Sequence, residues 1–240
     1  MKKVYFVSGT MCTVDLWQFV FPKLENIQPV HIDITAAISF DDINKIILTT
    51  INEPSILVGF SLGGFSIMNF AINYPNMVEK LVVIAANANG LEKEEIALRK
   101  STIDFLETHS YKGISQTRVL QFLHPENYNN QELISIIKKM DKELGKEVLI
   151  RQLKATSNRM SISENLKRIE MPILFIAAQD DSLVDSNTIK NIAKKLKKGK
   201  SILIKNCGHM IPLEKPLELN YILNSLAPPK GIIPRDLPRN

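Results

Sequence analysis

Ser61 is the residue in this chain best placed to act as a nucleophile. It stands at the centre of Gly59-Phe60-Ser61-Leu62-Gly63-Gly64, with the aliphatic run Ile56 to Val58 before it and an apolar stretch of helical length after it. Strand, sharp turn and helix in that order force the central residue into a strained backbone conformation and lift its side chain clear of the sheet. The flanking glycines let strand and helix approach without Cβ clashes. A hydroxyl is a weak nucleophile at neutral pH, so it needs a histidine to take its proton and a carboxylate to orient that histidine. Four histidines are available. His31 falls in an early strand, and His109 and His124 fall in a helical region. His209 sits in Cys207-Gly208-His209-Met210-Ile211-Pro212, just past a strand over Ser201 to Lys205. A loop over the carboxyl edge of a sheet belongs there, so His209 is the expected base. The acid should close the preceding strand, where Ala178-Gln179-Asp180-Asp181 offers two adjacent carboxylates. Cys207 reads as a buried, inert thiol, because the elbow already holds a serine.

Side chains so far apart in sequence need a sheet to bring them together. Val4 to Val7 reads as a first strand, Asp15 to Phe21 as a short helix stopped near Pro22, and Pro29 to Ile32 as a second strand. Asp41-Asp42 is placed to cap a helix carrying Ile43, Ile46 and Ile47. After the elbow, Val78 to Ala86 is a strongly aliphatic strand of the kind buried on both faces of a parallel sheet. Such alternation predicts a doubly wound parallel sheet with its functional groups at the carboxyl ends of the strands. From about Asn89 to Arg168 the pattern changes to four helical stretches, near 92–107, 112–123, 130–143 and 145–157, with no strand among them. This block reads as an inserted cap packed over the sheet. The alternation then resumes with a strand over Ile173 to Ala178, a helix over 186–197, the strand Ser201 to Lys205, and a last helix from Pro216 to Leu226. The expected organisation is a core of 1–88 and 169–226, a helical cap of 89–168, and a Pro-rich tail of 227–240.

At 240 residues, with 45% hydrophobic and 23% charged residues, the composition is that of one globular α/β domain and excludes coiled-coil, collagen-like and disordered classes. No apolar run approaches the roughly 20 residues of a membrane span. Cys12 and Cys207 have no metal-ligand or redox spacing, so free thiols in a reducing cytoplasm are expected. The net charge of +5 comes largely from lysines, several of them between Lys190 and Lys200. There Ile189, Ile192, Ala193 and Leu196 keep helical spacing and leave the lysines on the other face, which is either a solvated surface or a docking patch for an acidic partner such as a carrier. Aromatic residues are not interleaved with the basic ones, so nucleic acid is not an expected partner.

Serine elbow, late aspartate and final Gly208-His209, in the chain order Ser, Asp, His, resemble the α/β-hydrolase superfamily, in particular its small-cap carboxylesterases. The resemblance runs to about residue 226. It implies a mostly parallel twisted sheet flanked by helices, with the cap inserted after the equivalent of the family's sixth strand. It implies that Ser61 attacks an acyl carbonyl, that His209 shuttles the proton, and that an aspartate holds the imidazole. The family spacing of strand-end Gly-x-x-Asp, with Ala178 in the place of glycine, puts the acid at Asp181, with Asp180 capping the turn. The resemblance also implies two backbone donors for an oxyanion. One is Leu62; the other comes from Ser8-Gly9-Thr10, which stands where many members carry His-Gly-x, and is assigned to Thr10 with Met11 as the alternative. No cofactor or metal is implied. The implied activity is hydrolysis of a small acyl ester, thioester or lactone, free or carrier-bound. The same architecture also serves carbon–carbon bond hydrolysis, a menaquinone-pathway elimination, and hydrolase-like ligand receptors. Within the cap, Phe105, Leu106, Leu120, Phe122, Leu123 and Met140 are either pocket lining or the cap's own core. Arg151 and Arg159, eight residues apart, are either a clamp for a carboxylate or phosphate or a surface pair.

Overall fold

The computed structural model describes residues 1–227, so the Pro-rich stretch expected after Leu226 lies, but for Ala227, outside the described residues. Six strands form one parallel sheet: β1 (Lys2–Val7), β2 (Ile27–Ile32), β3 (Ser55–Phe60), β4 (Val78–Ile84), β5 (Ile173–Ala178) and β6 (Gly199–Ile204), in the spatial order β2-β1-β3-β4-β5-β6. Side chains alternate between the two faces, as the pleat requires. Val4, Phe6, Val58, Phe60 and Ile84 enter one core with Trp17 and Leu219. Tyr5, Val7, Leu57, Val83 and Phe175 enter the other. Both cores are apolar, built of aliphatic and aromatic side chains, which is why the central strands read as unbroken apolar runs.

Helices cover both faces. Four of them, α1 (Phe40–Thr50), α2 (Leu62–Asn73), α7 (Ser186–Lys194) and α9 (Pro216–Asn224), pack directly on the sheet. Between β4 and β5 lie α3 (Lys93–Thr108), α4 (Gln116–Phe122), α5 (Gln131–Thr156) and the single turn α6 (Ser163–Leu166); another single turn, α8 (Ile211–Glu214), precedes α9. The two helical stretches expected at 130–143 and 145–157 are the halves of α5, which bends at Gly145, where φ is 70° and only glycine is unstrained. The helix expected over Asp15 to Phe21 is instead two 3-10 turns, Val14–Trp17 and Phe21–Lys23. Pro22 has no N–H to continue an α-helix, and Leu16, Trp17 and Val20 are anchored in the core regardless. The cap of α1 is Ser39, whose hydroxyl accepts from the Asp42 N–H at 3.1 Å, just ahead of the aspartates expected to provide it. β4 stops two residues short of the expected Ala86, because Ala85 turns to φ 48°.

Register is what makes the sheet a platform. Val7 lies opposite Gly59, Phe60 opposite Ile84, Ile84 opposite Ile176, and Ala178 opposite Ile204. The strand ends are therefore level. Residues a few positions beyond each, namely Gly9 and Thr10, Ser61, Asp181 and His209, emerge on one edge. The elbow demands close backbone contact: a Cβ on Gly59 would stand 2.4 Å from the Gly63 oxygen, and one on Gly63 would stand 2.2 Å from the Val7 oxygen. We expect Gly63→Ala to destabilise the fold by at least about 3 kcal/mol, since the clash is with backbone that cannot yield. Urea denaturation checks this, and an unchanged midpoint contradicts the packing.

Candidate active site

At the end of β3 the chain turns so sharply that Ser61 adopts φ 52° and ψ −114°, a left-handed conformation that costs a β-carbon residue free energy. The turn survives because Ser61 N–H donates to the Ile84 carbonyl at 2.9 Å and the residue opens α2. Its hydroxyl is thus held above the sheet edge. Ser61 Oγ lies 3.1 Å from His209 Nε2, and His209 Nδ1 lies 2.8 Å from Asp181 Oδ2. With its proton on Nδ1, the imidazole donates to the carboxylate and accepts from the serine. Asp181 is almost fully buried, with 1% of its side chain exposed, and its other oxygen accepts from Leu183 N–H at 2.8 Å and Val184 N–H at 3.1 Å. That carboxylate is fixed in position. Asp180 points elsewhere: its N–H donates to the Cys207 carbonyl, and its carboxylate lies 3.6 Å from His124 Nε2. The His209 ring rests between Phe60, 5.0 Å away, and Phe122, 6.2 Å away.

The loop after β1 comes up beside the serine. A Cβ on Gly9 would lie 3.1 Å from Ser61 Cβ, so only glycine lets the backbone pass this close. Ser8 anchors the loop below, as its hydroxyl contacts His31 Nε2 at 2.9 Å, donates to the Thr13 carbonyl and accepts from Trp17 Nε1 at 3.0 Å. Of the two amides considered for an oxyanion, Met11 N–H is already committed to Gln152 Oε1 at 2.9 Å. Among the described residues Thr10 N–H has no such partner and, with Leu62 N–H at the start of α2, is open to a ligand. An amide pair beside an imidazole-bound hydroxyl can support addition to a carbonyl and hold the resulting negative oxygen.

Cys207 is buried, and burial, reinforced by the nearby Glu214, raises its thiol pKa far above the usual range. Cys12 is pushed up to about 12 by burial, so neither thiol is a ready nucleophile. Burial also raises Glu214, which accepts from the His124 N–H at 2.6 Å and from Asn127 Nδ2 at 2.9 Å, tying the helical insertion to the His209 loop. The insertion touches the site at further points: the Gln121 carbonyl accepts from Ser182 Oγ at 2.6 Å, and the Phe122 carbonyl accepts from Met210 N–H. Of the apolar insertion residues named from the sequence, Phe122 faces the imidazole, Met140 and Leu123 belong to the common core, and Leu106 is buried. Phe105 is 55% exposed and stacks on His109, so it does not line this site. Arg151 donates to the Thr35 carbonyl and Arg159 lies over the Phe65 ring, so the two form no clamp.

Gln152 is the site residue that the sequence did not single out. It is 3% exposed, and its Nε2 is buried without a hydrogen-bond partner. Leaving such a donor unpaired costs about 1–3 kcal/mol. The available signal was a polar residue on the buried face of α5, which only its contact across 141 positions of sequence explains. Among the described residues no group of three or more His, Cys, Asp or Glu is arranged to hold a metal.

Comparison with known proteins finds a family whose model covers most of the chain. The family model described as "Serine aminopeptidase, S33" matches residues 25–216. A pyrrolizixenacetamide deacetylase of Xenorhabdus hominickii is 26% identical over 175 residues, 72% of this chain and 65% of that protein, so the match spans just under two thirds of the relative. A pimeloyl-[acyl-carrier protein] methyl ester esterase of Wigglesworthia glossinidia brevipalpis is 27% identical over 234 residues, 88% of each chain. Among solved structures, a thermophilic esterase from Thermogutta terrifontis superposes with a TM-score of 0.82 at 15% identity, covering 94% of this chain and 89% of the other.

Proposed function

From the premise that this chain belongs to the serine aminopeptidase S33 family of α/β-hydrolase-fold hydrolases, we propose that it is a serine carboxylesterase acting through an acyl-enzyme. The observation that carries the reading is the unbroken chain of contacts from Ser61 Oγ through His209 to Asp181. In the proposed mechanism, His209 Nε2 takes the Ser61 proton as the oxygen adds to the ester carbonyl, and Asp181 stabilises the imidazolium. The oxyanion rests on the N–H groups of Leu62 and Thr10. His209 then returns the proton to the leaving alkoxide, the acyl group stays on Ser61, and water repeats the sequence to release the acid.

The helices over 89–168 act in this reading as a cap that closes the acyl pocket, with 1–88 and 169–226 as the core. The substrate is a small acyl ester or its thioester or lactone counterpart, free or carrier-held; the esterases and the deacetylase among the relatives support acyl transfer to water. No helix among the described residues is long and apolar enough to cross a membrane. Two free, buried cysteines support a cytoplasmic setting for the proposed enzyme. Incubation with a fluorophosphonate should attach one phosphonyl group, which mass spectrometry of the digested protein should locate on Ser61. A panel of p-nitrophenyl esters, lactones and thioesters of graded chain length should show turnover of at least one member. Modification elsewhere, or an inert enzyme across the panel, overturns the assignment. Carbon–carbon hydrolysis or elimination on the same scaffold would appear as labelling of Ser61 without turnover of any ester.

A further inference from the structure

We infer that Gln152 and Thr156 on the inner face of α5, with Arg159 just beyond its end and Arg99 on α3, form a subsite for a carboxylate at the far end of the acyl group, so that half-esters of dicarboxylic acids are the preferred substrates. This inference rests on the ester-hydrolase reading above.

Gln152, Thr156 and Arg159 recur at helical spacing along and just beyond the end of α5, and the first two are 3% and 4% exposed. A buried helix face is normally apolar, so three polar residues there call for partners. Their contacts divide them into satisfied and unsatisfied groups. Thr156 Oγ1 donates to the Gln152 carbonyl and accepts from Arg99 Nη1 at 2.6 Å, while Arg99 Nε donates to Glu95 at 2.8 Å. Arg99 is therefore neutralised. Arg159 is not: its guanidinium stands 4.8 Å over the Phe65 ring, forms no ion pair or side-chain hydrogen bond among the described residues, and has a buried Nε without a partner. Gln152 Nε2 is likewise buried and unpartnered.

A desolvated guanidinium without a carboxylate is costly to hold, and an incoming oxyanion removes that cost through paired hydrogen bonds. The surroundings add to the attraction. Arg118 lies over the Phe122 ring at 4.9 Å, and the acidic group near Arg118 and Arg159, Glu95, is paired with Arg99 at 2.8 Å. Burial and Arg99 lower Arg159 to about 10, which leaves it cationic at neutral pH.

Position selects the anion. Phe65 lies four residues beyond Ser61 on α2, about 6 Å along the helix. Gln152 also contacts the loop beside the serine. An anion on Arg159 is thus within the span of a short acyl chain whose carbonyl sits at Ser61. The phosphate of a carrier arm is separated from the scissile carbonyl by the whole pantetheine chain, a span too long for this corner.

The test compares kcat/KM for mono-p-nitrophenyl adipate and p-nitrophenyl hexanoate, which share chain length and leaving group and differ in the terminal carboxylate. The wild type should favour the adipate at least tenfold. Arg159→Gln should lower the adipate value at least tenfold, chiefly through KM, and change the hexanoate value less than threefold; Arg159→Lys should recover part of the loss. Equal use of both esters by the wild type, or an equal fall on both in Arg159→Gln, overturns the inference. Calorimetric binding of monomethyl adipate to Ser61→Ala, lost in Ser61→Ala/Arg159→Gln, reads the subsite without turnover. If that binding is present while neither ester is hydrolysed, the subsite stands and the esterase reading falls. If binding is absent or survives Arg159→Gln, the subsite is rejected. Competition by 4′-phosphopantetheine that depends on Arg159, with no preference for the adipate, reassigns the corner to phosphate and also rejects it.

Discussion

Ser61→Ala is expected to lower kcat/KM on the best ester by roughly 10⁵- to 10⁶-fold, the scale seen when the nucleophile of a serine hydrolase is deleted. The size follows from the geometry. His209 Nε2 has one hydroxyl within reach, that of Ser61 at 3.1 Å, and both cysteines are buried with raised thiol pKa values, so no second nucleophile stands ready. Alanine keeps a Cβ and accepts the same backbone turn with similar strain, so the urea midpoint should stay close to wild type. Variant protein retaining more than about one hundredth of wild-type turnover would mean that another group performs the attack, because loss of an essential nucleophile leaves far less.

Asp181→Asn is expected to cost about 10⁴-fold in kcat while leaving KM nearly unchanged. A side-chain amide offers N–H where the imidazole Nδ1–H needs an acceptor, so it favours the tautomer with its proton on Nε2, which cannot take a proton from Ser61. Asp180→Asn is the matched control, expected to change kcat less than tenfold, since that carboxylate faces His124 rather than His209. The two variants measured side by side decide the assignment. A large loss in Asp180→Asn with a small one in Asp181→Asn reverses it.

This pair also marks how far the sequence could be read. Ser61 and His209 were legible because each sits in a local pattern, a strand-turn-helix elbow and a post-strand Gly-His, whose backbone geometry is set by near neighbours. The sheet was legible for a similar reason: Ile56 to Val58, Val78 to Ile84 and Ile173 to Ala178 are apolar on both faces because helices cover both. Between Asp180 and Asp181 only the spacing from the strand end favoured one, and the direction of each side chain depends on hydrogen bonds to Leu183 and Val184 that no local pattern announces. The turns at Val14–Trp17 and Phe21–Lys23 carry the apolar spacing of a helix because Trp17 and Val20 are anchored in the core, not because the helix is continuous. Gln152 and Arg99 leave no local signal. Their partners lie 141 and 57 positions away in sequence, and long-range polar contacts leave almost no trace in composition or periodicity.

The helical insertion contacts the loops of the proposed oxyanion donor, acid and base: Gln152 at Met11, the Gln121 carbonyl at Ser182, and the Phe122 carbonyl at Met210. If the insertion is the proposed cap, mutational drift in it has no purely selective channel in which to alter ligand preference, because the same helices contact the proposed oxyanion, acid and base loops. A chimaera that grafts another insertion onto this sheet inherits foreign contacts at all three of these loops, and with them a foreign alignment of the residues they carry.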